Sequence, residues 1–153
     1  MGLSTDGEIS YGVPFEEGYE FPWGDKDIDD WWIYDVLGFK HSFQIYTEDG
    51  EYLNGVRPLE ADVRRYYDEK EAFAEKMPKL PVELVNYCSG DYPMYLLAIK
   101  GTQKTANRGY PTLLKPEDLT VPEEKITAFK EFLTRYELKS DSEIGWYLTS
   151  YMG

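Results

Sequence analysis

Apolar and polar positions alternate with the period of a strand over Leu80–Lys100, and this stretch organises the reading of the chain. In its first run Val82, Leu84, Asn86 and Cys88 share one face, while Val85 and Tyr87 take the other. In its second run Met94, Leu96 and Ala98 oppose Tyr95, Leu97 and Ile99, so both faces are apolar. A strand apolar on both faces is covered on both sides, which predicts a place in the middle of a sheet. Ser89-Gly90-Asp91 supplies the turn, and Pro93 is tolerated near the start of the second strand.

Nearer the start, Ile9, Tyr11, Val13 and Phe15 alternate with Ser10, Gly12 and Pro14, predicting a strand that ends at Pro14. The next stretch, EEGYEFPWGDKDIDDWWIYD, interleaves acids with large aromatics and has no clean period. Disordered chains are poor in aromatics, so it reads as an ordered, irregular segment with rings partly packed and carboxylates in water. His41–Val56 has the alternation of a hairpin, with Asp49-Gly50 where a tight turn needs positive φ. Leu59, Val63, Tyr66, Phe73 and Met77 recur at helical spacing within Pro58–Met77, and Pro78 and Pro81 end that helix. A second helix is predicted over Val121–Leu138, with Ile126, Phe129, Leu133 and Tyr136 on one face. Thr120 and Glu123 stand at capping-box spacing before it. A last strand, Glu143–Tyr151, turns Trp146 and Leu148 to one side and is a candidate to pair with the central hairpin. This order predicts a single α+β domain over residues 1–153. Its sheet is mainly antiparallel, with five to six strands, and two amphipathic helices lie on one face.

Composition changes the picture chiefly through charge. The chain has 153 residues, 29 acids against 16 bases and a net charge of −13, with a pI near 4.4. Residues 1–51 hold 13 acids and two lysines, a net of −11, whereas residues 52–153 hold 16 acids and 14 bases, a net of −2. Such asymmetry disfavours direct binding to nucleic acid or to an anionic membrane and favours a basic partner. Acidity also keeps small proteins soluble, which is the commoner explanation for it. A chain of this length buries about 68–70% of its unfolded surface and needs no disulfide or metal to hold a fold. One cysteine and one histidine exclude an intrachain disulfide and the usual zinc sets. A lone thiol, no basic and apolar leader, and no apolar run near 20 residues predict a cytoplasmic protein.

Three constellations carry candidate chemistry. Asp25, Asp27, Asp29 and Asp30 alternate like the carboxylates of a calcium loop, but Asp30 and Val36 stand where that loop needs Gly and Glu. These acids read instead as a solvated loop or, with Trp23, Trp31 and Trp32 beside them, as an acidic–aromatic binding surface. Lys100–Lys115 holds four bases and no acid, and its Lys100, Thr102, Lys104, Asn107 and Arg108 form a candidate phosphate loop. Ala106 stands where a Walker loop needs its second glycine, so an ordinary exposed connection competes with that reading. Cys88 and His41 would make a nucleophile–base pair only if the fold joined them. In an apolar strand, Cys88 reads as a small buried hydrophobe.

The segments STDG, FPW, DIDDWW, PVELVNYC, YPMYLLAI and RGYP, spread over most of the chain, resemble small acidic proteins of phage and prophage genomes. The resemblance implies a phage-encoded role directed at a host target and carries no catalytic residues. The expectation is a non-enzymatic acidic module that blocks a basic surface of a host nucleic-acid-handling protein, as a nucleic-acid mimic or inhibitor. No catalytic residue, metal or cofactor is predicted. The alternative is a small ligand- or nucleotide-binding protein or enzyme using residues 100–110.

Overall fold

The computed structural model describes residues 5–24, 37–76 and 79–153, and contacts divide the chain into two compact units, Met1–Gly24 with Leu80–Gly153, and Asp25–Lys79. The fold is α+β, with one five-stranded, mainly antiparallel sheet and two α-helices among the described residues. Strand β1 (Thr5–Pro14) opens the first unit. It begins earlier than its apolar alternation suggested, because partners on both edges hold its polar start. These are β4 (Lys104–Ala106) at Gly7–Ile9 and β5 (Gly145–Met152) from Thr5 to Gly12.

The central hairpin forms as expected: β2 (Val82–Ser89) and β3 (Pro93–Ile99) pair antiparallel, with Val82 opposite Ile99 and Val85 opposite Leu96. Leu96, Leu97, Ala98 and Ile99 are all buried, so both faces of β3 are covered. One face packs Leu96 and Ala98 with Val85, Tyr87 and Tyr147. The last strand β5 runs with β1 for eight residue pairs and meets β2 only at Cys88 and Ser89, in parallel. Because β1 also pairs with β3 at Gly12–Pro14, strands β1, β5, β2 and β3 close into a ring, with β4 outside it on β1. The closure is tight: a Cβ on Gly12 would lie 2.0 Å from the Leu97 carbonyl oxygen.

Helix α2 (Glu123–Arg135) packs on β3 and buries Phe129 and Phe132, each such ring contributing about 1.5–3 kcal/mol. The Thr120 cap anticipated for it does not form. The Thr120 hydroxyl instead donates to the Pro116 carbonyl and closes a 3-10 turn over Pro116–Leu119. Glu123 and Glu124 in the first turn and Arg135 in the last complement the helix dipole. At its end the Glu137 and Leu138 amides donate to the Thr134 and Leu133 carbonyls, with Glu137 left-handed and Leu138 buried, which is a Schellman stop.

The second unit contains α1 (Glu60–Lys76). Of its predicted stripe, Tyr66 is buried, Val63 and Phe73 are half-buried, Leu59 is exposed, and Met77 lies outside the described residues. The predicted hairpin shrinks to a single bridge, Tyr46 to Tyr52, around a turn at Gly50. Beyond that bridge the chain turns into a 3-10 segment at Leu53–Gly55 rather than continuing a ladder.

Candidate interaction surface

Past Pro14 the chain has aromatic and acidic side chains in close succession, and the fold sorts them. The Phe15 amide donates to the Tyr95 carbonyl at 3.0 Å, which ties the segment to β3. Gly18 and Gly24, both at positive φ, let it turn twice: the Tyr19 amide reaches the Glu16 carbonyl and the Gly24 amide the Phe21 carbonyl. The turns direct the rings inward. Phe15 contacts Tyr19 and Phe21 at centroid distances of 4.5 and 4.9 Å, Phe21 stacks on Trp23 at 4.6 Å, and Tyr95 meets Phe21 edge-on. The Tyr19 hydroxyl accepts the Lys139 amide, pinning this platform to the chain beyond α2. Phe15, Phe21 and Trp23 are buried, whereas Glu16, Glu17 and Glu20 are exposed.

Trp23 therefore sits in an aromatic core, with 4% of its surface exposed, as a support for the acidic surface. Asp25, Asp27, Asp29, Asp30, Trp31 and Trp32 lie outside the described residues. Glu16, Glu17 and Glu20 were not singled out in the sequence. The signal for them was their interleaving with Phe15, Tyr19 and Phe21, which in an ordered segment sends rings and carboxylates opposite ways.

The basic stretch 100–110 is built into the sheet. The Thr102 hydroxyl donates to the Ile99 carbonyl at 2.7 Å and accepts the Tyr11 amide at 3.2 Å. The Gly101 amide faces the Glu83 carboxylate, and the Arg108 amide donates to Asp6. Lys104 belongs to β4 opposite Ile9, Asn107 opens a turn to Tyr110, and Lys100 is exposed. The five predicted residues are thus strung along a strand and two turns, with these backbone donors directed at protein carboxylates. The groove that Lys104 does line is largely apolar, formed with Glu8, Ile9, Ala106, Thr112, Leu114 and Leu148, without Arg108 or Asn86. Sequence reading missed this groove, because its members come from three separated segments.

Cys88 is exposed at the end of β2 with φ of 77°, a correction to the expected buried thiol. The left-handed backbone at the start of the turn takes its side chain out of the strand's alternation. His41 belongs to the other unit, where Glu69 of α1 gathers the preceding segment. Its carboxylate accepts the Ser42 amide at 2.9 Å and the Ser42 hydroxyl, and it lies 3.6 Å from His41 Nδ1 and 3.9 Å from Arg65 Nε. His41 stacks flat on Tyr66 with centroids 3.5 Å apart. Burial pushes its pKa down, partly opposed by Glu69, and the Ser42 hydrogen bonds hold the Glu69 carboxyl below its usual range. Nothing in the sequence announced this cluster beyond the helical position of Glu69.

Among the described residues no group of three or more His, Cys, Asp or Glu side chains is placed to hold a metal ion. No described helix is long and apolar enough to cross a membrane. Comparison with family models, curated proteins and solved structures finds no match to this chain.

Proposed function

We propose that this chain is a non-enzymatic, acidic protein-binding module whose partner is a protein with a basic, nucleic-acid-handling surface. The observation that carries the reading is the arrangement of residues 15–23, with rings packed inward and Glu16, Glu17 and Glu20 projecting from a hydrogen-bonded frame. Carboxylates on a fixed frame lose little freedom on binding, so their attraction for a basic groove is retained. The acidic run continues in sequence through Asp25, Asp27, Asp29 and Asp30, and residues 1–51 carry a net charge of −11. That sign repels nucleic acid and attracts the proteins that bind it. The resemblance to phage-encoded acidic proteins makes host defence and DNA-handling proteins the first partners to test.

The test is capture of partners from bacterial host lysate on the immobilised chain at low and high salt, followed by competition with DNA for the captured protein. Capture should weaken as salt rises, because exposed charges are screened beyond about 8 Å at physiological ionic strength. Glu16→Gln with Glu17→Gln and Glu20→Gln should slow association, as should Asp27, Asp29 and Asp30 changed together to Asn. Salt-independent capture, or wild-type association in both variants, would remove the proposal. A nucleotide-induced rise in Tm lost in Arg108→Ala would favour the phosphate-loop reading instead.

A further inference from the structure

Glu8 stands in β1 between a long ladder and a short one. It pairs with Thr149 of β5 on one side and Thr105 of β4 on the other. Its side chain leaves on the face that carries Ser10 and Tyr147, where Tyr147 packs against the cluster of Val85, Leu96 and Ala98. The carboxyl is drawn into the sheet there. Its Oε2 is buried and has no hydrogen-bond partner among the described residues, and the same holds for the Oγ of Ser10, a residue only 2% exposed.

The groups around the carboxyl do not balance a charge on it. Burial pushes its pKa up, the side chain of Gln103, which hydrogen-bonds it from just before β4, pulls it down, and Asp6 on the same face pushes it up again. The other titratable side chains of this face are the phenols of Tyr147, Tyr151 and Tyr87 and one more acid, Glu83 opposite Ala98. Lys104 pairs with Ile9, so its side chain leaves from the other face, and Arg108 meets Asp6 through its backbone amide.

A carboxylate held in this position is poorly hydrated, and one of its two neighbouring strands must yield before water reaches it. Strand β5 is held to β1 by eight residue pairs and β4 by three, so β4 is the one to yield. We propose that Glu8 is a proton-controlled latch on β4: protonated, it lets Lys104–Ala106 lie on β1, and ionised, it lifts that strand to bring its oxygens to water. Thr102, bonded to Ile99 and Tyr11, and the Arg108 amide on Asp6 hold the two ends. The segment between them therefore opens as a loop and bares the Gly7–Ile9 backbone of β1, an unpaired edge of the kind that accepts another strand. The latch is independent of the acidic surface at residues 15–23.

Hydrogen exchange of the full chain, followed by NMR across a pH series, tests it. The docked carboxyl has the raised value, so the latch holds fully below the ordinary value of 4.5 and is lost as pH rises through the docked one. Protection of the β1–β4 ladder amides, corrected for the intrinsic pH dependence of exchange, should fall by up to about tenfold per pH unit between those values and then level off. Amides of the β1–β5 ladder should keep theirs. Glu8→Gln, uncharged and of similar shape, should hold the β4 protection constant over the whole range. Carbon-13 titration of the Glu8 carboxyl in the unaltered chain should give a midpoint above 4.5, and Asp6→Asn should lower it. Protection of the β1–β4 ladder that ignores pH overturns the proposal, as does a fall that persists in Glu8→Gln or one matched by the β1–β5 ladder. Should Glu8→Gln fail to fold, the carboxyl titration still decides, because a midpoint at or below 4.5 overturns the latch.

Discussion

Gly12 is where the sheet closes, and replacing it by alanine is the most direct test of the architecture. A Cβ there would stand 2.0 Å from the Leu97 carbonyl oxygen and 2.7 Å from the Ala98 Cα, all backbone that cannot swing aside. Contacts of a Cβ below 3.0 Å essentially do not occur, so β1 and β3 must part by about 1 Å. A backbone hydrogen bond near 2.9 Å stretched by about 1 Å is no longer one. The ladder at risk is short, Gly12 to Pro14 against Ala98 to Leu96, continued by the Phe15 amide on the Tyr95 carbonyl. Leaving one or two of its buried backbone groups unsatisfied costs about 1–3 kcal/mol each, so Gly12→Ala should lose roughly 2–5 kcal/mol. Gly7 of the same strand is the control: nothing lies within 4 Å of its added Cβ. Gly7→Ala should change stability by less than about 0.5 kcal/mol, or raise it slightly by restricting the unfolded chain. Urea titration gives both values from the midpoint shift at constant slope. Hydrogen exchange at the Phe15 amide adds a local readout, with protection lost in Gly12→Ala alone. Equal stability of the two variants would mean that β1 and β3 do not meet and the ring is open.

Two further outcomes follow from packing and titration. Leu96→Ala removes a fully buried side chain from the cluster of Val85, Ala98, Tyr87 and Tyr147 and should cost about 2–5 kcal/mol in the same titration. A loss under about 0.5 kcal/mol, typical of surface sites, would place β3 in solvent. His41 is the only histidine, so its NMR titration needs no assignment and should have its midpoint below about 6.5. A folded pKa below the unfolded one means stability present above about pH 6.5 and lost as pH falls toward the folded value. Glu69→Gln removes the neighbouring negative charge and should lower the midpoint further. A midpoint at or above 6.5 would refute the burial of the imidazole.

The periodic elements were legible in the sequence because their signals are local. Alternation in Val82–Ile99 fixes which side chains share a face, and the apolar second run correctly announced a strand covered on both sides. The spacing of Ile126, Phe129 and Leu133 announced α2 in the same way, and the order of elements the α+β class. The polar start of β1 and the whole of β4 carry no such pattern. They are strands because neighbouring backbones satisfy their amides and carbonyls, a property of partners distant in the chain. Closure at Gly12, the capture of Ser42 by Glu69 and the assembly of Ile9, Leu114 and Leu148 depend likewise on segments far apart. The acidic stretch lies between these cases. Its residue types dictated that rings and carboxylates would separate, but only tertiary packing, with Phe21 meeting Tyr95 and stacking on Trp23, decided that Trp23 is core and that Glu16, Glu17 and Glu20 are surface. Residue periodicity records which way a side chain leaves its own backbone, and tertiary contact decides whether anything is there to cover it.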